Sequence, residues 1–261
     1  MHANREYIDR EFHAEFWRIP WRFMYISTFR KLALTGIEQS MTSLFIEATT
    51  QFFMSGQLGI FKEDSKAFLS RPDVQEWFVN TYVGDRIEEC HAIIDSASLV
   101  FAHSIVDGSL YNDLKITSMI APTAWEPLVI GNLARIGEVK DRAYDEILRS
   151  QIDKCLEALE RESIIKKADR LFQICRPGPG FNPFVDRKQY EYSRPRLVEI
   201  DNKRHSAIHG TTLPRRMETI EDDISFLRDT AVFFWSMLNK VYGLQVDPAE
   251  AIEIAREILG Q

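Results

Sequence analysis

Residues 220–241 read IEDDISFLRDTAVFFWSMLNKV, and their spacing decides the fold class. Ile220, Ile224, Leu227, Ala231, Trp235, Leu238 and Val241 recur at steps of three or four, the interval that sets side chains along one side of a helix. The same interval runs outward through the chain. It links Ile87, Cys90, Ile94, Ala97, Phe101, Ile105 and Gly108, and again Tyr144, Leu148, Ile152, Leu156 and Leu159. No stretch alternates apolar and polar residues over six positions with turn residues at its ends, so a sheet is not expected. The fold class is all-α.

Helix breakers divide the chain. Pro20 should interrupt the first aromatic-rich stretch, Pro72 should open a short helix, and Gly84-Asp85 should stop one helix and start the next. The run Arg176-Pro-Gly-Pro-Gly-Phe-Asn-Pro183 can only be a loop. Gly210 and Pro214 should end a helix, and Thr219 with Asp222 resembles a capping box opening another. The expectation is an N-terminal helical extension over residues 1–83 and a helical bundle over 84–245. The bundle's main helices are expected near 85–117, 137–160, 194–209 and 219–241. A tail over 246–261 should hold a helix at 248–259.

Composition narrows the function. The chain has 261 residues, 45% of them apolar and 27% charged, so it can bury a large core and is not a disordered segment. Its longest uncharged run, the 14 residues 48–61, falls short of the roughly 18 that span a bilayer, so no membrane is expected. The start carries no secretory pattern. Cys90, Cys155 and Cys175 are too few and too scattered for a disulfide framework or a zinc cluster. These features fit a cytoplasmic protein with no metal and no cofactor. The net charge of −7 argues against generic coating of nucleic acid.

That charge is unevenly spread. Residues 187–216 hold eight bases against three acids, a local net of +5, which leaves −12 for the rest. A basic segment on an acidic body makes an anion-binding face, with Arg194, Arg196 and Lys203 the candidate substrate-binding cations. The alternative is a solvated helix whose charges pair locally, as Glu199 and Lys203 can at i,i+4.

Within 194–209, Arg204 falls inside the apolar stripe formed by Leu197, Ile200, Ala207 and Ile208. A guanidinium keeps its charge, so it must either find acceptor oxygens or extend along its stem to the rim. His205 and His209 follow. Asp201, His205 and His209 at successive turns could ligate a metal. Alternatively, Arg204 and His209 could serve as a phosphate-stabilising cation and a proton-transfer group.

The segment Asp201-Asn-Lys-Arg204-His205-Ser-Ala-Ile-His209-Gly210 resembles the R-(polar)-x3-5-H signature of the HEPN superfamily. That family is all-α, and many members are metal-independent endoribonucleases of toxin–antitoxin, abortive-infection and RNA-processing systems. The resemblance covers about residues 84–241. A second pair at this spacing, Arg86 and His91, has an apolar Ile87 after the arginine and two acids in between. The resemblance implies RNA cleavage by the ribose 2′-hydroxyl, with Arg204 and His209 catalytic and His205 assisting. It also implies a homodimer that juxtaposes two motifs, and an antitoxin protein as a partner. Some antitoxin-paired members carry a modified Tyr two residues past the motif histidine, where this chain has Thr211. Other members bind RNA or protein as scaffolds without cleaving. In this reading Asp201 could orient His205, while Asp95 and Asp107 belong to a solvated edge near His103.

Overall fold

The computed structural model describes residues 5–54, 71–73, 76, 84–133, 144–209, 217–244 and 256. Among them there is no strand, and the all-α expectation holds. The helices are α1 (Arg5–Met54), α2 (Gly84–Ile120), α3 (Glu126–Leu133), α4 (Tyr144–Glu160), α5 (Ile164–Cys175), α6 (Val185–His209) and α7 (Ile220–Tyr242). A 3-10 turn, Pro122–Trp125, joins α2 to α3 and buries Trp125. Apart from Arg256, the expected tail helix lies outside the described residues.

The central element is α2, which packs against α1, α5, α6 and α7. Leu99, Ala102, Val106, Leu110 and Leu114 are fully enclosed along it. This is not the stripe that the spacing picked out. Phe101 and Gly108 of that stripe are exposed, because the neighbouring helices cover a different and more polar arc. By length and composition, residues 87–120 could cross a membrane, and half of their most apolar window is buried inside the molecule. Two acids on this side of α2 meet bases from neighbouring helices. Asp95 accepts from Arg30 at 2.8 Å, and Asp107 takes both carboxylate contacts of the buried Lys167 at 2.7 and 2.8 Å. Asp95 is buried and so is not on a solvated edge, whereas Asp107 is 35% exposed, partly in water and tied to Lys167.

Pro20 does not break the first helix: α1 runs through it for 50 residues. A proline inside a helix costs about 3 kcal/mol by removing a hydrogen bond and crowding the preceding turn. Burial of Phe12, Ile19 and Phe23 on α2 and α7 offsets that cost. Phe12 stacks on Trp235 with ring centroids 5.3 Å apart, so α1 shares the core with the last helix. The N-terminal aromatic cluster is divided. Phe12 and Phe23 are interior, whereas Tyr25 and Phe29 are exposed.

Two further helices depart from expectation. The first, α5, is not among the four that periodicity predicts. It begins at Ser163, whose hydroxyl accepts from the Lys166 N–H, and it buries Ile164, Ala168, Leu171 and Ile174. The second, α6, begins nine residues before Arg194 and carries Pro195 inside it. The 176–183 loop is non-helical, as expected. Its Asn182 side chain accepts from the N–H groups of Phe184 and Val185, and Asp186 accepts from the Asn182 N–H, so the start of α6 is capped from the loop. A side chain at Gly180 would strike the Lys240 carbonyl, so the loop lies directly on the end of α7. That end is closed by Gly243 at φ 60°, with its N–H on the Asn239 carbonyl.

Candidate functional site

The site is built on α6, and the bases along that helix have different surroundings. Nearest the start, Arg187 pairs with Glu191 at 2.7 Å. Arg194 grips Asp169 of α5 with two bonds of 2.8 and 2.9 Å, and the Tyr190 hydroxyl donates to the same carboxylate at 2.6 Å. Those bonds hold the Asp169 carboxyl below the usual carboxylate range, with Arg194 as the main cause. Arg196 lies over the Phe226 ring at 4.8 Å and within 3.6 Å of Asp223. Lys203 donates to Asp223 and is 2.9 Å from Glu199, which is the local pairing that the spacing allowed. Asp223 is itself buried and also accepts from the Thr219 hydroxyl at 3.1 Å. The expected Thr219/Asp222 cap is therefore a Thr219/Asp223 bond, one residue further on.

The last two turns of α6 differ. Leu197 and Ile200 are buried, but Ile208 is exposed, so the apolar stripe leaves the core as the helix ends. Arg204 sits at that transition, half-buried, with its Nε buried and without a hydrogen-bond partner. His205 and His209 are exposed one turn apart, with ring centroids 4.7 Å from each other. The three residues proposed from the motif thus occupy one end of one helix. Arg194, Arg196 and Lys203 lie elsewhere along it, each beside a carboxylate.

Asp201 does not orient His205. Its Oδ1 lies 2.8 Å from Nε2 of His103, which reaches across from α2 and is 5% exposed. Burial is the main force pushing the His103 pKa below that of a free imidazole, with the Arg204 charge adding to it. The Asp201 bond and charge and the more distant Asp107 pull the other way. The sequence reading missed this contact. Its one available signal is that His103 falls on the same arc of α2 as Leu99, Val106 and Leu110.

The metal alternative loses its ligand set here, since Asp201 is turned to His103. Among the described residues, no three of His, Cys, Asp or Glu are grouped to hold a metal ion. The other R-x4-H pair is not assembled at the surface either, because His91 is buried with neither ring nitrogen hydrogen-bonded. No known protein family, curated protein or solved structure matches the chain.

Proposed function

We propose that the protein is a HEPN-like, metal-independent endoribonuclease acting in the cytoplasm, with Arg204 and His209 as its catalytic residues and His205 assisting. The observation that carries this reading is the contrast along α6. Among the described residues Arg204 makes no ion pair and its Nε has no hydrogen-bond partner, and it stands near two exposed imidazoles, on a helix where Arg187, Arg194, Arg196 and Lys203 each lie beside an acid. In the proposed reaction the ribose 2′-oxygen attacks the neighbouring phosphorus, and the bond from phosphorus to the 5′-oxygen breaks. A cyclic phosphate and a free 5′-hydroxyl result. An imidazole titrates near neutrality and can accept the 2′ proton or supply one to the leaving oxygen. The Arg204 guanidinium offers a fork of donors to the charge developing on the phosphate.

One α6 end supplies a single set of these groups, and the motif resemblance pairs two sets across a homodimer. Ile208, an exposed apolar side chain between the two histidines, supports contact with a second copy at this point. The cellular role that this reading implies is a toxin or abortive-infection effector held in check by an antitoxin protein.

The test is incubation of purified protein with RNA in EDTA. Wild-type protein should cleave, and Arg204→Ala and His209→Ala should not. Intact RNA with wild-type protein, or undiminished cleavage by both variants, overturns the reading. The second reading, a non-catalytic helical scaffold for protein or RNA, is favoured by the apolar side chains that α1 exposes: Met24, Tyr25, Phe29 and Leu32. It predicts binding without turnover in the same assay.

A further inference from the structure

We infer that His103 is a positioning residue for Arg204: by holding the Asp201 carboxylate, it keeps that carboxylate off the guanidinium three residues away and leaves Arg204 free for a phosphate. The inference rests on the site proposed above and adds a residue from α2 that the motif does not contain.

The starting point is what a helix does with an acid and a base at close spacing. Residues three and four apart are surface neighbours, so an Asp and an Arg at i,i+3 are in reach of each other and gain modestly by pairing. This chain forms such pairs at several places. Arg18 is 3.7 Å from Glu15 at i,i+3, and Lys166, Arg187 and Lys203 each meet a glutamate four residues away at 2.6, 2.7 and 2.9 Å. Asp201 and Arg204 have the spacing and the charges but do not pair. The carboxylate is drawn inward to His103, and the Arg204 Nε is left with no acceptor.

His103 is well suited to keep it there. A buried ring N–H with no acceptor costs roughly 1–3 kcal/mol, so the imidazole holds whatever carboxylate it can reach. Among the described residues, no other carboxylate competes with Asp201 for the imidazole. Asp107, one turn along α2, is occupied by Lys167 of α5, and Arg204 is the remaining charge on α6 that acts on the imidazole. There is a second consequence. A carboxylate facing outward beside Arg204 would repel a phosphate, and the His103 bond turns that charge away from it.

The test reads Arg204 directly. Full-length protein is treated with phenylglyoxal, and labelling of Arg204 is followed by peptide mass spectrometry, with the carboxylate-bound Arg194 as internal reference. In His103→Leu, Asp201 is released onto Arg204, and labelling should slow by about two- to fivefold, the scale of a helix or surface ion pair. Adding Asp201→Asn to His103→Leu should restore labelling to about the wild-type rate, which a purely structural role for the His103–Asp201 bond does not predict. Should His103→Leu not fold, His103→Asn, polar but too short to reach Asp201, is read in the same way. Unchanged labelling in the single variant, or a double variant as slow as the single, overturns the inference. A protein that labels as expected yet never cuts RNA removes the ribonuclease reading and leaves the positioning role standing.

Discussion

Arg194 and Arg204 lie ten residues apart on α6, and the fold treats them in opposite ways. Arg194 is half-exposed but tied by two bonds to Asp169, with Tyr190 on the same carboxylate. Arg204 is more enclosed, its Nε has no hydrogen-bond partner, and no described residue forms an ion pair with it. Exposure alone would have ranked them the other way as candidates for ligand binding. A surface arginine with its donors filled has little to offer a phosphate, whereas a half-buried one with open donors binds in a lower dielectric and has no local partner to displace. The same comparison reinterprets the +5 of residues 187–216. Arg194, Arg196 and Lys203 are answered by acids on α5 and α7, and Arg187 by Glu191 on α6 itself, whereas Arg204 in the last two turns has no such pair among the described residues.

The largest effect that could break the comparison is catalytic. His209→Ala and Arg204→Ala should each lower RNA cleavage by about 100- to 10,000-fold, the range for losing a positioned proton-transfer or charge-stabilising group. Arg204→Ala should do so with little change in thermal unfolding midpoint, because the buried Nε that it removes has no hydrogen-bond partner. Arg194→Ala should keep cleavage close to wild type. Should Arg194→Ala cut as poorly as Arg204→Ala in the same assay, the distinction between filled and open donors fails.

A buried base shows what pairing contributes when water is excluded. Arg30 on α1 is 12% exposed and bonds both Asp95 and Glu221, with Asp95 only 1% exposed. Arg30→Ala leaves Asp95 with the long Met217 N–H contact of 3.3 Å, and an uncompensated buried carboxylate destabilises by about 3 kcal/mol. Urea unfolding should register that loss as a lower midpoint. A midpoint within error of wild type would mean that buried pairs in this bundle matter no more than surface ones.

Asp113 sharpens the comparison from the acid side. It is buried on α2 with one carboxylate oxygen unpartnered, and burial, reinforced by the charge of Glu15, raises its pKa well above the ordinary value. The folded chain therefore keeps this proton at pH values where the unfolded chain has released it. The stabilising contribution is complete below the ordinary carboxylate pKa near 4 and declines as pH rises toward the folded value. Asp113→Asn, which cannot ionise, should raise stability at pH 7 by about 1 kcal/mol or more and lose that advantage near pH 4. Equal gains at both pH values would show that the Asp113 charge is not the cause.

The fold class was legible because helical spacing is a local property, and it survives even where the details shift. In α2 the spacing picked an apolar arc that includes exposed Phe101, since spacing states only that a stripe exists and not which side its neighbours will cover. The helix α5 was readable in principle. Ser163 is a good N-cap, and the apolar positions 164, 168, 171 and 174 follow at the right steps. A break is expected at Pro20 because a proline's local cost is visible in sequence, while the tertiary burial that outweighs it is not. The candidate site divides in the same way. Arg204, His205 and His209 share one helix and could be found together. The partners of Asp201, Arg194 and Lys203 come from α2, α5 and α7, and no spacing rule reaches across 98, 25 or 20 residues.

The smallest predicted effect concerns Arg194 itself. Its two bonds to Asp169 have good geometry, but both side chains are partly in water, at 45% and 30% exposure. Solvent screening and the entropy of holding a long side chain reduce such a pair to about 0.5–1 kcal/mol. Arg194→Ala should therefore lower stability slightly, and the difference should shrink further in 1 M salt, where charges more than about 3 Å apart are screened. Tyr190 provides the control. Its hydroxyl donates to the same carboxylate without carrying charge, so the loss in Tyr190→Phe should be nearly independent of salt. If the loss in Arg194→Ala also proves indifferent to salt, Arg194 acts through its packed stem, and the charge on this part of α6 is as open to an incoming phosphate as that of Arg204.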